Sequence, residues 1–309
     1  LLLMIPVIIG VSFLVFFIMD LAPGDAVDIL APEGATAEDL EAIRHDLGLD
    51  QPVIVRYVKY MGGMLHGDMG VSYVSKTDVF DTYMEKLPAT IKLSFASILV
   101  SILLSVPLGI YSATRQGTVQ DNISMIVAMI GLSMPNFWLG LLLIIVFSLN
   151  LGWFPSGGDQ TLSSIVLPAI TIGTGLMATL TRTTRSSMLD VLKQEYLRTA
   201  RAKGIPEKIV ITSHALRNAL IPIITIIGTQ LAGVLGGSVL TETVFAWPGV
   251  GRLIVDSLNM RDTPLVTGSI IMTTILLSII LLLVDLLYAV VDPRIKAQYV
   301  AKRGKKKHG

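Results

Sequence analysis

The sequence contains no cysteine among its 309 residues, which excludes a disulfide framework, a thiolate nucleophile and a Cys-ligated zinc or iron–sulfur site within this chain. Charge is scarce as well, at 15% of residues against roughly 25% in soluble domains, and aromatic residues make up only 6%. There is no G-x-x-x-x-G-K-[ST] run to cradle ATP phosphates. Neither an H-E-x-x-H helix nor paired intramembrane aspartates mark an intramembrane protease, and the four histidines are singles without ligand spacing. No selectivity filter of a channel is visible. What the sequence has in quantity is apolar surface: 52% hydrophobic residues and a mean hydropathy of +0.69. The Leu, Ile, Val, Ala and Met that carry it run on too long for one soluble core, so a soluble enzyme and a disordered chain are both excluded.

About 30 Å of hydrocarbon needs about 20 apolar residues at about 1.5 Å of helical rise each. Six stretches qualify, at residues 1–19, 93–114, 123–151, 162–181, 218–241 and 263–291. The expectation is an all-α integral membrane protein with six transmembrane helices. Residues 1–19 lack the basic leader and small-residue cleavage site of a signal peptide and read as the first span, with a short segment expected before Leu1.

The formal net charge of +1 is unevenly distributed. Residues 20–86 hold thirteen acidic and five basic residues, 182–217 eight basic and three acidic, and the tail 292–309 seven basic and one acidic. Lys and Arg mark the cytoplasmic side, so 20–88 is expected outside, and 182–217 and the tail inside, with both termini cytoplasmic and the turn carrying Arg115 inside. Within the outer loop, Thr36 caps one helix that stops at Gly48, and Pro52 starts another. This loop reads either as a cap over the outer mouth or as a surface for substrate or a partner.

Residues 182–217 read as two helices separated at Gly204-Ile205-Pro206, with Met188, Leu192 and Tyr196 at four-residue spacing in the first. Their setting between membrane spans argues against nucleic-acid reading. It leaves a basic segment on anionic lipid or a docking surface for a cytoplasmic partner. Gly204 is the place where a chain reversal with positive φ would tolerate no Cβ. Pro135 within 123–151 is either a kink that turns backbone carbonyls toward a cavity or a tolerated packing kink. Gly228, Ala232 and Gly236, together with Gly233 and Gly237, give the fifth span flat faces for close packing. Asp285 lies within the last span, which raises a proton-coupled secondary transporter as an alternative class.

Glu195-Tyr196-Leu197-Arg198-Thr199-Ala200-Arg201-Ala202-Lys203-Gly204, followed by His214-Ala215-Leu216-Arg217-Asn218-Ala219, resembles the cytoplasmic "EAA" loop of binding-protein-dependent ABC importer permeases, and most closely the dipeptide/oligopeptide permease subfamily. Gly204, Ala200 and Leu216 match the generic pattern. Arg198 stands at its Glu, Thr199 at its first Ala, His214 at its Ile and Arg217 at its Pro, so no salt bridge from the generic glutamate carries over. Four further stretches look like the same subfamily: Leu21-Ala22-Pro23-Gly24-Asp25, Leu65-His66-Gly67-Asp68-Met69-Gly70, Ser133-Met134-Pro135-Asn136-Phe137-Trp138, and Glu242-Thr243-Val244-Phe245-Ala246-Trp247-Pro248-Gly249-Val250-Gly251.

The resemblance implies the type I ABC importer permease architecture in the inner membrane of a prokaryote. It implies a peptide-translocating subunit that does no covalent chemistry and holds no cofactor, with ATP and Mg on two separate ATPase subunits. The implied partners are a homologous second permease, an extracytoplasmic binding protein, the peptide cargo and membrane lipid. Nickel chelates and glutathione are alternative cargoes in the same class. Glu195, Arg198, Thr199, Ala200, Arg201, Ala202, Lys203, Gly204, Ile205, Pro206 and Glu207 become the candidate ATPase-coupling loop. Pro135, Asn136, Phe137, Phe245 and Trp247 are candidates for the translocation path or gate, with the last two also readable as an interfacial anchor.

Overall fold

In lipid, backbone amides must be satisfied within the element that carries them, which favours helices for a chain of this composition. The computed structural model describes residues 4–21, 26–32 and 34–291, and these are helical apart from loops and one isolated antiparallel bridge between Val71 and Asp78. In chain order the elements are α1 (Met4–Leu21), α2 (Ala26–Leu30), α3 (Ala37–Asp46), α4 (Val53–Leu65), α5 (Val79–Thr114), α6 (Val119–Ser133), α7 (Asn136–Leu143), α8 (Val166–Gly175), α9 (Met177–Leu192), α10 (Glu195–Ala202), α11 (Glu207–Ile209), α12 (Leu216–Gly237), α13 (Val239–Val244), α14 (Val250–Asn259) and α15 (Thr263–Val291). Wider π-helical turns follow α7 at Ile144–Asn150 and α11 at Val210–Ala215, and a 3-10 turn at Leu162–Ile165 leads into α8. The basic tail and Ala22–Asp25 lie outside the described residues.

Among the described residues, four helices are long and apolar enough to cross a membrane, and up to six spans result if each of two bent pairs counts as one. The expected single helix over 123–151 is instead two, α6 and α7, bent by 96°. Met134 (φ −92°, ψ 127°) and Pro135 (φ −59°, ψ 132°) are both extended, because proline lacks an N–H and forces the residue before it away from helix. The fourth expected span is likewise bent, by 54°, at Leu176, and its second half continues to Leu192, well past 181. α5 starts at Val79 rather than 93. Asp81, Glu85, Lys86 and Pro88 dilute the apolar run there without ending the helix.

The chain divides into two compact units, residues 1–92 with 236–278 and residues 93–235 with 279–309. In the first, α4 lies on α1. Tyr57 packs edge-on to Phe13 and Phe16, its hydroxyl lies 2.9 Å from Ser12 Oγ, and Arg56 pairs with Asp20. Thr36 and Asp39 form a reciprocal capping box on α3, which buries none of its residues. Tyr83, Val250 and Met272 form one core cluster of this unit. Asp262 accepts from Ser72 Oγ (2.5 Å), Tyr73 N (3.2 Å) and Leu265 N (3.3 Å), tying the 70–78 loop to the start of α15.

Lipid tails give helices no hydrophobic incentive to associate, so small residues and close backbone approach do that work. In the second unit, Ser94, Ser97, Ser101, Ser105 and Ser112 of α5 are fully buried. A Cβ on Gly173 would come 2.9 Å from Ser97 O, and one on Gly131 2.4 Å from Thr174 O. The glycine faces of α12 divide. Gly228 lies against Val284 and Gly236 against Leu277, so that face is used inside this chain, whereas a Cβ on Gly233 or Gly237 would have nothing within 4 Å.

Candidate functional site

α10 has two faces. Leu197 (0% exposed) and Ala200 (9%) enter a core built from Leu180, Met188, Val210, Ala215, Ala219 and Ile223. Glu195, Arg198, Thr199, Arg201, Ala202 and Lys203 stay exposed. Arg198, at 83%, meets only an equally exposed Glu195 at 3.8 Å, a pair worth little in water. An apolar seam one residue wide and an uncommitted polar face describe a helix held firmly from one side and presented on the other. The expected first helix is in fact interrupted. Met188 and Leu192 belong to α9 and Tyr196 to α10, with Lys193 and Gln194 between them.

The turn after α10 is fully specified. Gly204 has φ +74°; its N–H donates to Arg201 O (2.9 Å) and Ile205 N–H reaches back to Ala200 O (3.3 Å). These are the two bonds of a Schellman stop, which needs the left-handed residue that glycine supplies. Pro206 is extended (φ −57°, ψ 136°) and starts α11. Across the turn Arg201 donates through Nε (3.0 Å) and Nη2 (2.9 Å) to the two Glu207 oxygens. Asn218 Nδ2 donates to Tyr196 Oη at 2.7 Å, and Tyr196 Oη to His214 O at 3.3 Å. Every candidate from Glu195 to Glu207 therefore belongs to one contiguous joint of α10, turn and α11.

The path candidates are divided between the two units. Pro135, Asn136 and Phe137 stand exposed at the 96° break of the second unit, where Asn136 Oδ1 lies so close to Gly175 that a Cβ there would sit 2.7 Å from it. Phe245 and Trp247 belong to the first unit and are 1% and 2% exposed. Trp247 Nε1 donates to Ala89 O at 2.9 Å. Both are packed core side chains, and that burial replaces the interfacial-anchor reading. A buried ring whose N–H is satisfied by a backbone carbonyl is not sitting at a lipid headgroup. Trp153, by contrast, is 62% exposed.

Three polar hubs escaped the sequence reading. Asp121 meets Arg185, Glu242 meets Thr90, and Asp262 meets Ser72. Their partners are 64, 152 and 190 residues away along the chain, and no local pattern announces such pairs.

The family model for "binding-protein-dependent transport system inner membrane component" matches residues 105–297, and that for the N-terminal part of the same membrane components matches 1–94. The oligopeptide transport system permease protein AppB of Bacillus subtilis (strain 168) is 44% identical over 303 residues, covering 94% of this chain and 96% of AppB. The glutathione transport system permease protein GsiC of Escherichia coli (strain K12) is 41% identical over 293 residues, covering 95% and 96%. Among solved structures, the inward-facing MetNI methionine ABC transporter superposes with a TM-score of 0.57 over 69% of this chain and 97% of that one, at 19% identity, a likeness of fold alone. The chain therefore belongs to the binding-protein-dependent transport system inner membrane components, the membrane permease subunits of ABC importers.

Proposed function

We propose that this permease carries peptides inward by alternating access, and that α10 with the Gly204 turn is the surface on which an ATPase subunit docks. The observation that carries the docking reading is the two-faced α10, buried through Leu197 and Ala200 and open through Arg198, Thr199, Ala202 and Lys203. A motor that closes on ATP moves helices only if its contact does not bend, and the Schellman stop with its bidentate bridge resists bending. ATP and Mg belong to two partner ATPases, a homologous permease completes the path, and an extracytoplasmic binding protein delivers cargo to the side that carries residues 20–88. Asn136 and Phe137, exposed at the α6–α7 break, line the path in this reading.

The peptide assignment is supported by the names of the relatives, an oligopeptide permease and a permease for glutathione, itself a tripeptide. Similarity to the latter favours glutathione as the second reading. Uptake of a labelled tripeptide by the reconstituted complex should be competed by unlabelled di- to pentapeptides; competition by glutathione alone would move the assignment to that cargo.

Gly204→Val tests the docking role. A Cβ there meets nothing within 4 Å, so the substitution acts chiefly through the left-handed backbone, at about 1–2 kcal/mol. The variant should insert and assemble but lose transport, and its ATPase should stop responding to loaded binding protein. Normal uptake at normal expression would reduce Gly204 to a plain helix stop.

A further inference from the structure

A single carboxylate fastens the α5–α6 turn to α9. Asp121, in the first turn of α6, accepts from Ser112 Oγ at the end of α5 (2.5 Å), from Gly117 N in the turn (3.0 Å), and from Nε and Nη2 of Arg185 on α9 (2.7 Å each). Its side chain is 4% exposed and that of Arg185 27%. Beside this pair α5 and α9 touch through backbone. A Cβ on Gly109 would come 2.6 Å from Thr184 Cβ and 2.9 Å from Thr181 O.

A buried ion pair is a poor way to add stability, because desolvating both charges cancels most of their attraction. Its distinctive property is register. The planar guanidinium meets the carboxylate at two points, and neither helix can rotate or slide without breaking both bonds. The pair also sits on the route to the docking helix. α9 continues from Arg185 to Leu192, and α10 begins at Glu195. Ala113, at the same end of α5, shares its core with Leu197 and Ala200 of α10.

We infer that Asp121 and Arg185 are positioning residues of the transport cycle: their clamp joins the Thr114 end of α5, the α5–α6 turn, α9 and α10 into one rigid body. A displacement of α10 then reaches α5 and α6 instead of being absorbed at the Lys193–Gln194 junction. This inference rests on the docking role proposed for α10.

The natural absence of cysteine allows spin labels at Arg115→Cys in the turn and Gln194→Cys at the head of α10, in the complete complex. The distance between them should be the same without nucleotide and with ATP trapped. In Arg185→Gln it should shift or broaden between those states. Cargo moved per ATP should fall about tenfold, within the usual range of site-to-site coupling, while basal ATPase activity and assembly hold. Should that variant fail to assemble, Asp121→Asn with Arg185→Gln removes both charges and leaves no buried ion unpaired, and transport per ATP is read there.

A changed label distance in the otherwise unaltered chain would overturn the rigid body, and wild-type transport per ATP in the neutral pair would overturn the clamp. Gly204→Val separates the two ideas. If it transports normally, the docking role fails. If it uncouples while the clamp variants transport normally, only the clamp falls.

Discussion

Thr90 donates its hydroxyl to Glu242 Oε1 at 2.9 Å and accepts the Val250 amide at 2.8 Å, so one hydroxyl on α5 joins the ends of α13 and α14. Glu242 is 0% exposed. Its carboxylate is satisfied by hydroxyl and amide donors, the others being Ser238 Oγ (2.8 Å) and Arg252 N (3.1 Å). Truncation strands those donors in a dry site at about 1–3 kcal/mol each, partly relieved by relaxation. Glu242→Ala should therefore destabilise the protein by about 3 kcal/mol. Glu242→Gln, which keeps one acceptor, should cost less. Thermal unfolding in detergent checks the order, and an unchanged midpoint for Glu242→Ala would show that the network is slack. Gly249→Ala should behave like Glu242→Ala, since its Cβ would lie 2.4 Å from Glu242 Oε2.

The Arg201–Glu207 bridge should prove important for geometry and nearly irrelevant for stability. The hydrogen-bonded Arg201 guanidinium holds the Glu207 carboxyl below the usual carboxylate range, but the side chains are 40% and 56% exposed, so solvent screens the pair. A double-mutant cycle with Arg201→Gln and Glu207→Gln should give a coupling below about 1 kcal/mol, while either single variant lowers ATPase stimulation by the loaded binding protein. A coupling of several kcal/mol would mean that the bridge holds the fold itself.

Orientation has a direct check. Cysteine at Glu41, on the exposed acidic α3, should react with an impermeant reagent in intact cells, and cysteine at Lys208 should not. Labelling of position 208 from outside would reverse the assignment.

Asp285 is exposed on α15, on the surface of this chain rather than within its core. Asp285→Asn should leave uptake dependent on ATP and indifferent to an uncoupler. Uptake that persists without ATPase subunits and collapses with an uncoupler would favour a proton-driven carrier.

Long apolar runs made α1, α12 and α15 legible, since a span is a property of composition over about 20 residues. The same property concealed the start of α5, where charges occupy helical positions, and the continuation of α9 beyond Thr181. Pro135 signalled a disturbance, but the size of the bend depends on Met134 also leaving the helix and on the packing of α7 against α8. Gly204 was readable because a helix stop is local chemistry. Asp121, Arg185 and Glu242 were not, because their meaning resides in partners brought together by tertiary structure. Trp247 was misread for the same reason. Position in an outer loop suggested an interface, and Ala89 O decided otherwise.

The two glycine faces of α12 give the sharpest contrast between folding and assembly. At Gly228 a Cβ would sit 2.8 Å from Val284 Cγ1, whereas at Gly233 it would meet nothing within 4 Å. Gly228→Leu must push α12 and α15 apart, at a cost of about 1–3 kcal/mol for overpacking, and should lower the thermal stability of this subunit expressed alone. Gly233→Leu removes a glycine from a helix interior, which by propensity favours the isolated subunit by up to about 1 kcal/mol. If the open face receives the second permease, that same leucine fills the space where the partner helix packs. The variant should then be a stable subunit that no longer co-purifies with its partner. Intact assembly of Gly233→Leu would place the permease–permease contact on another helix, and a stable Gly228→Leu would show that α15 yields where the packing says it cannot.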